Sequence, residues 1–295
     1  MAERAAAIDR AESAPSPIRA LLGNVRVVIG GTVVLLLLVV ALLADLLAPA
    51  DPLRQDLLFF YLPPFWMEGA EPGFWLGTDS LGRDILSRLI HAARIAVTVA
   101  VIAASATAVI GTTLGLLAGF YGRWIDTIVS RLIDIWMAFP PVLLSIVLVA
   151  VLGAGLHSVI IAIAVIDWTR FARVVRAEVM VQREQDYIAS AMVIGLSRWR
   201  TLTGEILPNV LPLLLTLFTL EMGIAIIVEA ILSFVGLSLA SDFPTWGGMI
   251  AEGRQVINQA WWLMAFPVAV LIVVVIALNM LGDGLRQALD PVLRR

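Results

Sequence analysis

The sequence predicts an all-α membrane protein that crosses the bilayer six times, and three observations lead to this prediction. Hydrophobic residues make up 60% of the 295 positions, and the mean hydropathy is +0.96, both far above the values of water-soluble domains. The apolar residues form uncharged runs of about 20 residues, the length of a helix that spans the hydrocarbon core. Glycine, proline and charged residues separate these runs.

The chain begins with a polar tail and one apolar run. Residues 1–25 mix acidic and basic side chains with two prolines, and they are predicted to be a cytoplasmic tail. Residues 26–48 are predicted to hold the first transmembrane helix, whose uncharged part is 27–44. A cleaved signal peptide is the alternative, because Ala48-Pro49-Ala50 resembles a cleavage site. The apolar run is longer than a usual signal-peptide core and its leader is acidic, which favours the transmembrane helix.

Residues 49–94 are predicted to be an extracytoplasmic loop. Its last part, 81–94, alternates apolar and charged side chains at helical spacing, which predicts an amphipathic helix lying on the membrane surface. The second span, 95–120, follows directly. It carries a ridge of glycines at every fourth position, which lets helix backbones approach closely in lipid. These glycines are Gly111, Gly115 and Gly119.

Residues 95–285 are predicted to form a core that contains the five remaining spans. A charged turn, 121–134, precedes the uncharged run 135–166, which is too long for one crossing and suits two short ones joined at Gly153-Ala154-Gly155. The charged stretch 167–205 is predicted to be aqueous or interfacial. The fifth span is assigned to 210–235 and the sixth to 261–281, with a polar loop, 238–259, between them. Residues 286–295 are assigned to a cytoplasmic tail.

The arginines indicate the orientation. If the N-terminus is inside, fifteen arginines fall in cytoplasmic segments and five in outside segments. Cytoplasmic loops of membrane proteins are enriched in basic residues, so both termini are predicted to be cytoplasmic.

The composition excludes several kinds of chemistry. All 20 basic residues counted as Lys+Arg are Arg, so the chain has neither a P-loop lysine nor a Schiff-base lysine. It has no Cys, and its only histidines, His91 and His157, lack an accompanying base and orienting group. We therefore expect no catalytic residue, no metal site and no cofactor in this chain. Nucleic acid is not expected as a partner either, because no basic face is present.

Two carboxylates lie within the fifth predicted span. Glu221 and Glu229 are two turns apart, so they face nearly the same way, and charges in hydrocarbon are usually functional. They are candidates for lining a translocation path or binding a substrate amine. The alternative is that they face a partner subunit or water near a helix end. Asp45, Asp167 and Asp283 are expected to be solvated at span ends.

Residues 186–199 are predicted to form an amphipathic helix, and the pattern alone leaves lipid and a protein partner equally open. Asp186-Tyr187-Ile188-Ala189-Ser190-Ala191, Gly195 and Ile206-Leu207-Pro208-Asn209 resemble the EAA loop of bacterial ATP-binding-cassette importer permeases. That resemblance implies a coupling helix, within a cytoplasmic loop 170–207, that inserts into a separate ATPase. Ala189 and Ser190 depart from the family's Glu and Ala. The implied coupling residues are Asp186, Tyr187, Ile188, Ala189, Ser190, Ala191, Met192, Gly195, Leu196, Ser197 and Pro208.

A second resemblance concerns the outside loops. The segment 76–88, Phe234-Val235-Gly236-Leu237-Ser238 and Thr245-Trp246-Gly247 are similar to the dipeptide, oligopeptide and nickel permeases. Asp79, Arg83 and Asp84 are predicted to form a local charge network that is structural rather than ligand-binding. The residues of this extracytoplasmic motif are Gly77, Thr78, Asp79, Gly82, Arg83 and Asp84.

These resemblances imply a permease of the type I importer fold in a bacterial inner membrane. Its implied partners are a homologous second permease, two cytoplasmic ATPase subunits that bind ATP and Mg, an extracytoplasmic substrate-binding protein and the lipid bilayer. Peptides are the expected cargo, with nickel complexes and glutathione left open. The alternatives are a secondary transporter driven by protons through Glu221 and Glu229, and a scaffold protein.

Overall fold

The computed structural model describes residues 21–238 and 243–289. Residues 1–20 and 290–295 of the two predicted tails, and 239–242 of the last predicted loop, lie outside the described residues. The described part is helical, and its one β contact is an isolated bridge between Thr78 and Asp84.

The helices follow the apolar runs of the sequence, and one long loop, 48–84, separates the second helix from the third. A single 3₁₀ turn, Leu57–Phe59, lies in the first long loop, and a π-helical turn, Thr201–Ile206, lies inside α8. The helices are α1 (Val25–Leu42), α2 (Ala44–Leu47), α3 (Ile85–Tyr121), α4 (Arg123–Met137), α5 (Pro141–Leu152), α6 (Leu156–Arg183), α7 (Asp186–Val193), α8 (Arg198–Phe234), α9 (Trp246–Gln255) and α10 (Trp262–Leu289).

Helix α1 packs against α10 in the antiparallel sense. The side chain of Asn24 caps α1 by accepting the Arg26 N–H at 2.9 Å. Gly30 lies so close to α10 that a Cβ there would be 2.6 Å from the Ala277 carbonyl oxygen. The first apolar run is therefore an integral part of the helix bundle.

Helix α3 corrects the prediction of a separate surface helix over 81–94. It is one continuous helix of 37 residues that begins at Ile85 and contains the whole second span. Ser87 and Arg88, which lie on the polar face of that predicted helix, are buried. Their polar atoms bond within the protein, and this is why a charged face can turn inward.

The predicted glycine ridge is confirmed as a packing surface between α3 and α6. A Cβ on Gly115 would lie 2.8 Å from the Ala172 oxygen, and one on Gly119 would lie 2.8 Å from the Arg176 oxygen. The contacts advance along both helices together, so α3 and α6 run parallel. Backbones this close leave no room for any side chain larger than hydrogen.

The segment between α3 and α6 differs partly from its prediction. The predicted charged turn is the amphipathic helix α4, which meets α5 at an angle of 87°. Pro141 occupies the first turn of α5, where a missing N–H costs nothing. The predicted break at Gly153-Ala154-Gly155 is confirmed, because α5 ends at Leu152 and α6 begins at Leu156.

Helix α6 extends much further than the sequence indicated. The predicted fourth span ended near residue 166 and was followed by an aqueous stretch, but the helix continues to Arg183 along α3. Asp167 and Arg170 are therefore in the middle of a packed helix rather than at a span end.

Four described helices, α1, α3, α8 and α10, are long and apolar enough to cross a membrane, and the bent pair α4 and α5 makes up to five. Helix α6 carries too many charges to qualify by composition, although it runs parallel to α3 as a six-span topology requires. The count of six thus remains a prediction.

Contacts between helix ends place the loops. Arg94 in the first turns of α3 donates to the Ala41 carbonyl at the end of α1, at 3.0 Å. At the opposite end of the bundle, Asn24 donates to Gln287 at 3.2 Å, and Arg183 donates to the Phe120 carbonyl at 3.0 Å. The loop 49–84 and α9 therefore lie at one end, and α7 lies with residues 24 and 287 at the other.

Candidate functional site

The extracytoplasmic motif begins by folding the long loop onto itself. Gly77 and Gly82 have φ values of +82° and +72°, and a Cβ on either would collide with the carbonyl oxygen of Leu62 or Asp56. The buried Thr78 hydroxyl accepts the Leu62 N–H at 2.9 Å. These three motif residues therefore determine the shape of the loop.

Asp79 is the centre of a buried charge network. It accepts the backbone N–H of Arg83 at 3.0 Å and the Arg83 Nε at 2.7 Å, and it also bonds the Arg88 guanidinium. Arg88 donates in turn to both carboxylate oxygens of Glu252 on α9, at 2.7 and 3.0 Å. Two arginines thus balance two carboxylates and fasten the loop to α3 and α9. This balance supports the structural role expected from the sequence.

The predicted pairing of Asp79 with Arg83 is confirmed, whereas Asp84 has a different role. Asp84 caps α3 by accepting the backbone N–H of Ser87 at 2.7 Å and its hydroxyl at 2.6 Å. Burial raises the pKa of Asp84, although the bonds from Ser87 oppose that shift. Arg88 and Glu252 were not predicted to be members of the network.

The motif Thr245-Trp246-Gly247 attaches α9 to the bundle. Thr245 caps α9 by accepting the Gly248 N–H at 3.1 Å, and the Trp246 indole donates to the Leu89 carbonyl at 3.2 Å. Gly247 touches the Ala230 carbonyl so closely that no Cβ would fit. The three residues therefore supply a cap, an anchor and a close contact.

The motif Phe234-Val235-Gly236-Leu237-Ser238 ends α8. Gly236 has a φ of +80°, and the Leu237 N–H bonds back to the Leu232 carbonyl at 2.8 Å, as at many helix C-termini. Ser238 then donates to Glu229 at 3.3 Å, beside Ser233 at 2.5 Å. Glu229 is 1% exposed, and within the described residues its carboxylate accepts these two bonds from neutral hydroxyls.

Glu221 belongs to a second cluster, which bridges α6 and α8. Arg170 donates to Glu221 Oε2 at 3.1 Å and to Asp167 at 3.3 Å. Glu221 is 1% exposed and Asp167 is buried as well, while the Arg170 side chain is 40% exposed. Neither Glu221 nor Glu229 opens onto a path in this structure, and the expected solvation of Asp167 is wrong because α6 continues past it. The sequence singled out Glu221 but missed Asp167 and Arg170.

The coupling segment is shorter than the helix predicted over 186–199. Helix α7 ends at Val193, and Gly195, with a φ of +86°, terminates it, as the Leu196 N–H bonds back to Ala191. Ser197 then caps α8, so Trp199 belongs to a different helix. The prediction of one amphipathic helix over 186–199 is therefore wrong beyond Val193.

The two sides of α7 have different surroundings. Ile188 and Ala191 are buried, Ile188 in a cluster with side chains of α3, α6 and α8. Met192, Val193 and Ile194 are exposed, and they form an apolar tip at the end of the helix. Of the other coupling candidates, Asp186, Ala189 and Ser190 are exposed, Tyr187 bonds Gln182 at 2.7 Å, and Pro208 follows the π-helical turn.

The chain matches two family models. Residues 111–295 match the model described as binding-protein-dependent transport system inner membrane component. Residues 18–64 match the model described as the N-terminal TM domain of oligopeptide transport permease C.

The relatives give the same picture over nearly the whole chain. The di/tripeptide transport system permease protein DppC of Pseudomonas aeruginosa is 40% identical over 90% of this chain and 88% of its own length. The dipeptide permease DppC of Haemophilus influenzae is 40% identical over 90% of each chain. The glutathione permease GsiD of Pectobacterium atrosepticum is 40% identical over 90% of this chain and 87% of its own.

A solved structure shares the fold. The inward-facing MetNI methionine ABC transporter contains a chain that superposes with a TM-score of 0.58, covering 69% of this chain and 96% of that chain. Its sequence identity is 18%, so the likeness concerns the fold alone.

Proposed function

We propose, from the premise that this chain belongs to the binding-protein-dependent transport system inner membrane components, that it forms half of the translocation path of an ATP-driven importer for short peptides. The 40% identity over 90% of the chain to a permease named for di- and tripeptides carries the choice of cargo. The relative named for glutathione makes that solute the first alternative cargo to test.

Hydrolysis of ATP is assigned to partner subunits. The chain has no Lys, so it lacks the side chain with which a P-loop reaches the β- and γ-phosphates. We place ATP and Mg in two cytoplasmic ATPase subunits. A homologous second permease would complete the path, and an extracytoplasmic binding protein would deliver the peptide.

The apolar tip of α7 is the surface that would dock on an ATPase. Ile188 and Ala191 anchor α7 to the bundle, so a force on the tip is passed to α3, α6 and α8. Met192, Val193 and Ile194 are free to enter a cleft, and Val193 is 87% exposed. The tip, rather than Gly195 on a continuous helix face, is therefore our proposed point of coupling.

Orientation and boundaries are proposed on the same basis. We place α7 and both tails, 1–25 and 286–295, in the cytoplasm of a bacterial cell, and the loop 49–94 outside the inner membrane. The first helix, 26–48, and the core, 95–285, lie in the bilayer. The excess of arginines on the α7 side supports this arrangement.

The first experiment tests the importer itself. The chain, its partner permease and the ATPases are reconstituted in liposomes, with the binding protein on the outside face. We expect accumulation of a labelled dipeptide that requires ATP and the binding protein and is unaffected by dissipating a proton gradient. Uptake that follows the proton gradient without ATP would instead support a secondary transporter.

The second experiment tests the coupling tip. Val193→Asp should reduce recovery of the ATPase subunits with the permease, because a charge would have to be buried in the interface. Leu58→Asp is the matched control, since Leu58 is 86% exposed at the opposite end of the bundle. Equal recovery of the ATPases with both variants would remove the coupling assignment.

A further inference from the structure

The long loop before α3 carries a patch of exposed aromatic rings. Phe65 contacts the rings of both Trp66 and Trp75, with ring centroids 5.0 and 5.8 Å apart. These three residues are 60%, 51% and 57% exposed. They belong to or lie beside the run 57–67, which contains no charged side chain. A contiguous apolar patch on a surface indicates contact with a partner or a membrane.

The patch is joined to a helix that can span the membrane. Trp66 meets the ring of Phe266 on α10 edge-on, with centroids 6.0 Å apart, and Trp261 contacts the same ring at 6.3 Å. Val273, two turns further along α10 and on the same side, is 54% exposed. The aromatic patch therefore continues into the exposed apolar face of α10.

Phe266 lies close to the outer boundary of the hydrocarbon core. A helix needs about 20 residues to cross the core. Helix α10 carries no charge from its start to residue 282, and Asp283 follows. Counting about 20 residues back from Asp283 places the outer boundary near residue 263. Trp66, which packs on Phe266, is therefore at the level of the outer headgroups.

The neighbouring helices place the boundary at the same height. Gly30 of α1 packs against residues 277–281 of the antiparallel α10, so Asp45, fifteen residues after Gly30, is level with the start of α10. Asp45 bonds Arg94 of α3 at 2.8 Å, and α3 carries no charge beyond Arg94. This ion pair thus marks the end of the uncharged parts of α1 and α3, beside the first residues of α10.

The chemistry of the patch suits the headgroup layer of a bilayer. Trp is enriched in that layer, because an apolar ring with a polar N–H fits between hydrocarbon and water. No basic residue occurs between Arg54 and Arg83, whereas Glu68 and Glu71 are exposed. Contact with the membrane would therefore depend on the rings and not on attraction to anionic headgroups.

We propose that the patch of Phe65, Trp66 and Trp75 is immersed in the headgroup layer of the outer leaflet, so that the loop rests on the membrane beside α10. The sequence predicted such a surface contact for 81–94, and the structure moves it to 65–75 of the same loop. This placement requires only that α1, α3 and α10 cross the membrane, and it holds for any cargo. The competing occupants of the patch are the extracytoplasmic binding protein and the second permease.

Fluorescence quenching from the lipid and from the water tests the contact. Phe65→Cys in this Cys-free chain is labelled with a fluorophore and reconstituted with the second permease and the ATPases in phosphatidylcholine nanodiscs. Gln55→Cys is the matched control, because Gln55 is exposed on the same loop between Arg54 and Asp56. A lipid with a spin-labelled headgroup should quench the label at 65 more strongly than the label at 55, and iodide should do the reverse. Adding phosphatidylglycerol should leave both results unchanged.

The Trp66 ring is tested in the Phe65→Cys chain. Trp66→Gln should increase quenching by iodide and decrease quenching by the lipid, because the loop loses the ring that packs on Phe266. Trp66→Phe keeps an aromatic ring at this position and should retain most of the lipid quenching. Equal quenching in the two variants would contradict the role of the ring.

Three results would overturn the proposal. Equal quenching of the labels at 65 and 55 by iodide would mean that the patch lies in water. Protection of the label at 65 from both quenchers would mean that the second permease covers the patch. Lipid quenching that is absent until the binding protein is removed would mean that the binding protein docks there. Lipid quenching that is the same with and without the binding protein supports immersion in the headgroup layer.

Discussion

Arg88 and Arg94 belong to the same helix and both bond carboxylates, yet their surroundings differ. The Arg88 side chain is 3% exposed and bonds Asp79 and Glu252. The Arg94 side chain is 40% exposed, and its partner Asp45 is 76% exposed. Both side chains of this second pair are open to solvent, which screens their attraction.

These surroundings predict unequal effects of truncation. Arg88→Ala should destabilise the purified protein by about 3–5 kcal/mol, because it leaves the buried Asp79 without one of its cations. Arg94→Ala should cost no more than about 1 kcal/mol. Thermal unfolding in detergent measures both, and similar losses in the two variants would mean that the network around Asp79 contributes no more than a surface pair.

The same network shows what sequence spacing can and cannot predict. Asp79 and Arg83 are four positions apart, so their pairing is visible in the sequence. Arg88 and Glu252 are 164 positions apart, and nothing local connects them. The motif residues Gly77 and Gly82 were singled out through the resemblance to a family. The reason why glycine is required there is tertiary, because each backbone has a positive φ and packs against another segment of the loop.

At the scale of the helix, the glycine ridge of α3 makes a direct prediction. Gly115→Leu should prevent close packing of α3 on α6, because even a Cβ would lie 2.8 Å from a backbone oxygen. Gly31→Leu on α1 is the control, since a Cβ there meets only a leucine methyl at 3.9 Å. For Gly115→Leu the size-exclusion profile should lose its single symmetric peak and the unfolding temperature should fall. For Gly31→Leu both should stay normal. A monodisperse, stable Gly115→Leu protein would show that the two helices can separate freely.

Two glycines near the end of α7 and the start of α8 are predicted to affect stability in opposite directions when each is replaced by alanine. Gly195 and Gly204 both have open space around an added Cβ, but only Gly195 has a left-handed backbone, with a φ of +86°. Gly195→Ala should therefore destabilise the protein by about 1 kcal/mol, and Gly204→Ala, inside a helix, should stabilise it by up to about 1 kcal/mol. Unfolding midpoints measure the difference. A shift in the same direction for both would contradict the helix end at Val193.

The extent of helices was the least predictable feature, and α6 and α7 show why. Charges at Asp167 and Arg170 suggested an aqueous loop, because the sequence does not reveal that Glu221, 51 positions after Arg170, lies beside it. For α7, apolar periodicity continued to Trp199, whereas the glycine at 195 was the better signal, since glycine commonly follows the last residue of a helix. The break at Gly153-Ala154-Gly155 was predictable because glycines interrupt a helix locally.

For the whole molecule, the arrangement of the helices fixes which segments share a side of the membrane. The end of the bundle that carries α7 also carries Gln287, whereas Leu58 lies in the loop at the other end. An antiparallel α1 and α10, with α3 and α6 parallel, require this arrangement. It agrees with the arginine excess, which orients the bundle but says nothing about how the helices pack.

Single cysteines test the orientation in this Cys-free chain. In intact spheroplasts, an impermeant thiol reagent should label Leu58→Cys, while Val193→Cys and Gln287→Cys should react only after the membrane is opened. The proposed docking adds a second expectation: in opened membranes, presence of the ATPase subunits should slow labelling at Val193, which would be covered, but not at Gln287. Labelling of Leu58 and Gln287 from one side would refute the topology. Equal labelling of Val193 with and without the ATPases would leave the topology intact but move the docking surface away from the tip of α7.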